Sequence, residues 1–533
     1  MLTTIWTAVT SILLIRAAQC APLVPLIAPS YASQSLLDSF VSFSIEFSSF
    51  PDFAGNSTHP NTFSYNLLQN LWDLQGTPPI IRVGGNTQDY YTFDATQQEA
   101  LVGSVDPSRS PDYPTTISIG PSYFDSYTTW PGFNYVHGLN LGKNGSVGYD
   151  TLVATVPLVC QHLAATDRLA YWQLGNEPDL FKTSAQGPVR PSWWAEPQYV
   201  EEYLNKTRII RELVQEHCPE VIEQDRLKYQ APSFAGTANN LDLVTTWTEG
   251  IDADGEIALI DSHNYINGAT APGVTLQGTL MNHTSTVISV DKHIDEIRQP
   301  AIADSGLPYI LGETNSLYNQ GAPGLSDSFG AALWGVDFNL YCAASGIRRV
   351  HMHQGTNYRY ASWQPVDTDL ATTATKAPYY GNIAVAKFLG NTSASDNVRI
   401  SELDLDSDPY HSAYAAYIND RLERIALIQM QAYNSTDGGE GADRPSETFT
   451  LQLDGDFSTV EEIEVLRLTA SGSNAVTDVS FDGYSYSHDL DDGRPSLLPD
   501  VPRGEVVQVT SGGEVVVDLP WSSAAVLILR RSS

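Results

Sequence analysis

The sequence predicts an α/β fold, a (β/α)8 barrel followed by a C-terminal antiparallel β-sandwich. Three observations predict it. Eight short apolar runs alternate with helical patterns between about residues 40 and 390. Beyond about residue 393 the texture changes to alternating or apolar strands broken by Gly, Asp and Ser turns. The 533-residue chain is long enough for a barrel with a companion domain.

The eight strand candidates are Phe40–Phe47, Pro79–Val83, Val136–Leu141, Leu169–Leu174, Leu227–Ala231, Leu259–Tyr265, Tyr309–Gly312 and Arg348–Met352. Strands alternating with helices give a parallel sheet, and eight of them close it. The clearest helices, Tyr149–Ala165 and Glu196–His217, carry apolar residues at three- and four-residue spacing. Residues 103–135, rich in Pro, Ser, Tyr and Asp, interrupt the alternation and read as a long loop at the barrel mouth. The catalytic unit is thus bounded at 40–392 and the sandwich at 393–533. Sandwich strands are expected at Ala413–Ile418, Arg424–Ala432, Thr448–Leu453, Ile463–Leu468, Glu514–Leu519 and Ala524–Leu529. Residues 21–39 have no place inside the barrel and are free to add a strand to the sandwich.

Residues 1–20 read as a secretory signal: Ile5–Ile15 form a short apolar core, and Ala18-Gln19-Cys20 offers small residues where a signal peptidase cuts. Six sequons, at Asn56, Asn144, Asn205, Asn282, Asn391 and Asn434, agree with a secreted, glycosylated chain. Cleavage leaves Cys160, Cys218 and Cys342, too few for a disulfide scaffold. Two of the three can pair; buried free thiols are the equal alternative. With 62 acidic against 28 basic residues the formal charge is −34. Such a surface repels nucleic acid and anionic membranes, which excludes both as partners. It reads as a solubility adaptation and, compatibly, as a working pH on the acid side of neutrality, where fewer carboxylates are ionised.

Chemistry concentrates in two segments, Trp172-Gln-Leu-Gly-Asn-Glu177-Pro178 and Tyr309-Ile-Leu-Gly-Glu313-Thr314. Each is an apolar strand ending in a glutamate, on the fourth and seventh strands. Carboxyl ends of barrel strands surround the active site, so Glu177 and Glu313 should face one pocket. Glycoside hydrolysis needs such a pair: an acid for the leaving oxygen and a nucleophile or base opposite. Asn176 is placed to bond a sugar 2-hydroxyl, and Pro178 fixes the backbone beyond the acid. His351 and His353 face one side of the last strand without a convincing third metal ligand, and read as barrel interior or pocket wall. Asp489, Asp491 and Asp492 lack the spacing of a calcium loop and read as an acidic turn. No metal or other cofactor is called for.

The set Phe40-Val-Ser-Phe-Ser-Ile-Glu46, Arg82-Val-Gly-Gly-Asn86, Asn176-Glu177-Pro178, Gly312-Glu313-Thr-Asn-Ser-Leu-Tyr318 and Gly355-Thr-Asn-Tyr358 resembles glycoside hydrolase family 79 of clan A. That family contains β-glucuronidases and heparanase, and the fungal β-glucuronidases are the nearest in pattern. The resemblance implies a retaining mechanism with Glu177 as acid/base and Glu313 as nucleophile. It implies that Glu46 and Asn86 line the sugar pocket and that Tyr265 holds the nucleophile. Tyr318 and Tyr358, with backbone amides after Tyr318, would grip the uronate carboxylate. Heparanase has a Gly-Gly pair where this chain has Asn319-Gln320. Arg359 is the nearest basic alternative as carboxylate partner. The resulting expectation is an exo-acting β-glucuronidase that releases terminal glucuronic acid, plain or 4-O-methylated, from glycans or glycoconjugates. The alternatives are an endo-acting, heparanase-like hydrolase and a silent carbohydrate-binding protein.

Overall fold

The computed structural model describes residues 21–184, 187–393, 396–405, 408–434 and 443–531; the signal sequence at 1–20 lies outside them. The eight barrel strands are β1 (Val41–Glu46), β2 (Ile81–Gly84), β3 (Tyr135–Leu139), β4 (Leu169–Leu174), β5 (Tyr229–Phe234), β6 (Ile257–Gly268), β7 (Tyr309–Tyr318) and β8 (Val350–Gln354). They close in chain order, each parallel to its neighbour. The fold class read from the sequence is the one observed.

Helices α1 (Thr62–Gln75), α2 (Gly145–Val159), α3 (Glu196–His217), α4 (His283–Ile297), α5 (Phe329–Ser345) and α6 (Ala377–Leu389) fill the connections. Asn61 caps α1 by accepting from the Ser64 amide, and Gly76 ends it in the left-handed conformation. Cys160, just past α2, and Cys218, at the end of α3, form a disulfide, while Cys342 is free and buried in α5.

Two sequence readings need correction. Residues 103–135 are not an unstructured loop: Leu101–Ser104 pairs with Thr116–Ile119, and a 3-10 helix runs over Pro121–Thr128. The aromatic rings explain this, since Tyr123 and Tyr127 pack on Phe47 and Phe50 and give the segment a core of its own. Strand β7 also does not stop at Gly312. It continues to Tyr318 beside β6, because polar residues there find buried partners. Thr314 donates to the Asn264 carbonyl, Asn315 to the His353 carbonyl and Ser316 to the Ser326 hydroxyl.

The C-terminal strands are β9 (Val398–Glu402), β10 (His411–Ile418), β11 (Arg421–Gln429), β12 (Ser446–Asp454), β13 (Val460–Thr469), β14 (Glu514–Pro520) and β15 (Ser523–Arg531). The larger sheet runs β9-β10-β11-β15-β13; the smaller joins Leu23–Pro25, β12 and β14. The N-terminal segment therefore contributes a strand, parallel to β12. Val24, Leu427, Leu451, Val515 and Leu527 fill the space between the sheets. On its other face the larger sheet presents Ala426, Ile428, Leu466 and Val526 to the same core as α5 and α6. This second burial is why β15 reads apolar from Ala524 to Leu529 while one-sided β14 alternates.

Candidate active site

Glu177 follows β4 after Gly175 and Asn176, with backbone angles φ 51° and ψ 50°. Pro178 bars it from the right-handed helical region, and a left-handed non-glycine residue carries strain. Its amide donates to the Ser233 carbonyl at 2.9 Å, which fixes the conformation. Glu313 sits inside β7, almost fully buried. One oxygen each of Glu177 and Glu313 and one nitrogen of His263 lie within 4.8 Å of one another. Carboxyl groups about 5–5.5 Å apart suit a retaining mechanism, whereas inversion needs about 6.5–9.5 Å for an intervening water.

The two carboxyls live in different surroundings. Arg82 Nη1 donates to Glu313 Oε2 at 2.6 Å and Tyr265 donates to Oε1 at 2.7 Å. Burial alone would raise Glu313, but His353, His263, Arg82 and Tyr265 together hold it well below the ordinary carboxylate range. Burial first, and the Glu313 charge second, push Glu177 up to about 8. His263 Nδ1 contacts Glu177 Oε1 at 3.0 Å, and burial lowers this imidazole to about 4, so it is neutral over most of the pH range.

Arg82 is fully buried beneath the pocket. Its guanidinium donates to Gln173 at 2.8 Å, Ser44 at 2.9 Å and Asn176 Oδ1 at 2.7 Å as well as to Glu313. A buried guanidinium satisfied on this many sides fixes Glu313 and Asn176 in one frame. Asp89, also buried, accepts from the Leu141, Gly142 and Asn176 amides and so pins the strand end that carries Glu177. Neither was singled out from the sequence. A charge inside the apolar run Ile80-Ile81-Arg82-Val83 was the available signal.

All eight sequence-selected residues line one cavity of about 520 Å³: Glu46, Asn86, Asn176, Glu177, Tyr265, Glu313, Tyr318 and Tyr358. Glu46 Oε1 accepts from the Thr87 amide at 3.0 Å and Oε2 from Tyr358 at 3.1 Å. Gly85, at φ 98°, has no room for a side chain, because a Cβ would stand 2.7 Å from Glu46. The Tyr358 hydroxyl has a single proton and here gives it to Glu46; serving a uronate requires exchanging that partner. Tyr318 lies half exposed at the rim. Asn319 and Gln320, both at φ 63°, hold the left-handed conformation that a glycine pair adopts without cost, and both line the pocket. Arg359 is committed elsewhere, donating to Asp112 at 2.6 and 2.9 Å.

His353 lines the pocket, and His351 is buried in the barrel. Asp492 accepts from Thr62 and Asn66 of α1, remote from the pocket. Asn56, Asn144, Asn205 and Asn391 are exposed; Asn282 and Asn434 are partly covered.

Residues 413–526 match the glycosyl hydrolase family 79 C-terminal beta domain. A β-glucuronidase of Aspergillus niger is 53% identical over 508 residues, 94% of this chain and 92% of that protein. A β-glucuronidase of Neurospora crassa is 53% identical over 495 residues, 88% of each chain. A solved structure, described as the 4-O-α-L-rhamnosyl-β-D-glucuronidase of Fusarium oxysporum 12S in a Rha-GlcA complex, is 26% identical with a TM-score of 0.75. That match covers 96% of this chain and 100% of the other. With barrel, sandwich and paired glutamates in place, the chain belongs to glycoside hydrolase family 79.

Proposed function

We propose that the chain is a secreted, retaining β-glucuronidase that removes terminal glucuronic acid from glycans or glycoconjugates by double displacement. The observation that carries this is the close pair of glutamates with opposed protonation, Glu313 ionised and Glu177 protonated. In the first step a Glu313 oxygen bonds to C1 as the C1–O bond to the aglycone breaks and Glu177 gives its proton to the departing oxygen. In the second, Glu177 takes a proton from water, whose oxygen bonds to C1 and displaces Glu313. Asn176, whose Oδ1 accepts from Arg82, is the residue we assign to the 2-hydroxyl.

The β-glucuronidase activity named for the two 53%-identical relatives supports a glucuronide substrate. Arg359 is engaged by Asp112, and Tyr318, Tyr358 and the amides around Asn319-Gln320, which the family resemblance implies as the uronate donors, all line the cavity. Secretion and glycosylation rest on the sequence of residues 1–20 and on the exposed sequons, with the Cys160–Cys218 disulfide in accord.

A panel of 4-nitrophenyl glycosides tests the reading. Turnover of the β-glucuronide should exceed that of the β-glucoside by about hundredfold or more. Equal rates on both, or none on the glucuronide, would overturn it. Cleavage within long uronic-acid chains would mark the endo-acting alternative.

A further inference from the structure

The leaving group must lie on the Glu177 side of the cavity, since Glu177 protonates its oxygen. Residues following β4 and β5, among them Phe181, Val189 and Asn239, line the cavity with Glu177. The family resemblance seats the terminal sugar on Glu46, Asn86 and Tyr358, and Tyr113 lines the same part of the cavity, packed on Tyr358. In a pyranose C4 stands opposite C1 across the ring, so anything carried on O4 points into that part, the far end.

The far end is built by a contact across the sequence. Asp112 and Tyr113 lie in the connection of the Leu101–Ser104 and Thr116–Ile119 hairpin. Tyr113 is only 6% exposed and packs with Tyr358, Tyr360 and Ala361. Asp112 meets the Arg359 guanidinium with both oxygens, at 2.6 and 2.9 Å. Arg359 also donates through Nε to the Gly321 carbonyl at 3.1 Å and through its amide to the Gln320 carbonyl at 2.8 Å. One guanidinium thus gathers the hairpin, the segment after β7 and the segment after β8. A two-point Arg–carboxylate contact fixes orientation as well as distance, and this one is largely shielded from water.

We infer that the Asp112–Arg359 pair is a specificity-determining clasp: it holds Tyr113 across the end of the pocket facing O4, so that a glucuronate bearing a second sugar on O4 is rejected. This rests on the β-glucuronidase reading above. Arg359 and Asp112 are positioning residues, and Tyr113 is the wall they position.

The test compares kcat/KM on 4-nitrophenyl β-D-glucuronide with that on its 4-O-α-L-rhamnosyl derivative, the Fusarium oxysporum enzyme serving as positive control for the second substrate. Wild type should favour the plain glucuronide by about hundredfold or more, and Asp112→Ala, Arg359→Ala and Tyr113→Ala should each shrink that ratio by about tenfold or more. The double variant should be no further from wild type than either single, because both remove one contact. Tyr113→Ala leaves the ion pair intact and decides the matter where a clasp variant fails to fold. A wild type that hydrolyses both substrates equally, or variants that melt earlier yet keep the wild-type ratio, would overturn the clasp. Failure of wild type on the plain glucuronide would instead sink the activity on which the clasp depends.

Discussion

The surroundings of Glu313 and Glu177 differ more than their positions do. Glu177 follows β4 and Glu313 lies within the long β7, yet the two stand a few ångströms apart. Around Glu313 the chain places a guanidinium and a tyrosine hydroxyl, one for each oxygen. Around Glu177 it places a neutral imidazole, burial and the Glu313 charge itself. The lesson is that neighbours set protonation: the ionised carboxylate raises its partner, and one geometry supplies the two protonation states that the proposed nucleophile and acid need.

The largest effect comes from deleting either half of that contrast. Glu313→Gln removes the proposed nucleophile and should lower kcat by at least about 10⁴-fold on every β-glucuronide. Glu177→Ala should cost about 10²–10⁴-fold on alkyl glucuronides, whose leaving groups need the proton, and far less on activated 4-nitrophenyl glucuronide. Equal losses on both substrate types for Glu177→Ala would assign the acid elsewhere.

The pH profile sharpens the comparison. Glu177 acts as an acid only while protonated, so kcat/KM should fall as pH rises through its pKa of about 8. Glu313, held below the ordinary range, stays ionised on the acid side. The working window therefore reaches closer to neutrality than the acidic composition suggests. Carboxyl-carbon NMR should find the Glu177 pKa lower in Glu313→Gln than in wild type; an unchanged value would mean the two carboxyls are not coupled. A smaller effect is expected from Tyr265→Phe, which removes one donor to a charged acceptor. It should cost about 1.5–3 kcal/mol, or about ten- to hundredfold in kcat/KM.

Much of this site was legible in the sequence because barrel chemistry sits at strand ends, and strands announce themselves as apolar runs. Glu177 and Glu313 were found that way. The polar continuation of β7 was not, because Thr314, Asn315 and Ser316 are buried only through partners on other segments. The hairpin at Leu101–Ser104 was hidden by its loop-like composition, and its core lies on Phe47 and Phe50, far away in sequence. Arg82, Asp89 and the Asp112–Arg359 contact share that character. Each is a polar group whose meaning depends on where the fold takes it. The choice of Cys160 and Cys218 over Cys342 likewise follows from α2 and α3 ending side by side.

The central claim is that Glu313 attacks C1 and Glu177 serves the leaving group, and the stereochemistry of the first product tests it most directly. Proton NMR recorded within the first minutes of hydrolysis of a β-glucuronide, before mutarotation, should show the β anomer of glucuronic acid. An α anomer formed first would mean a single displacement by water, and would contradict the assignment of Glu313 as nucleophile.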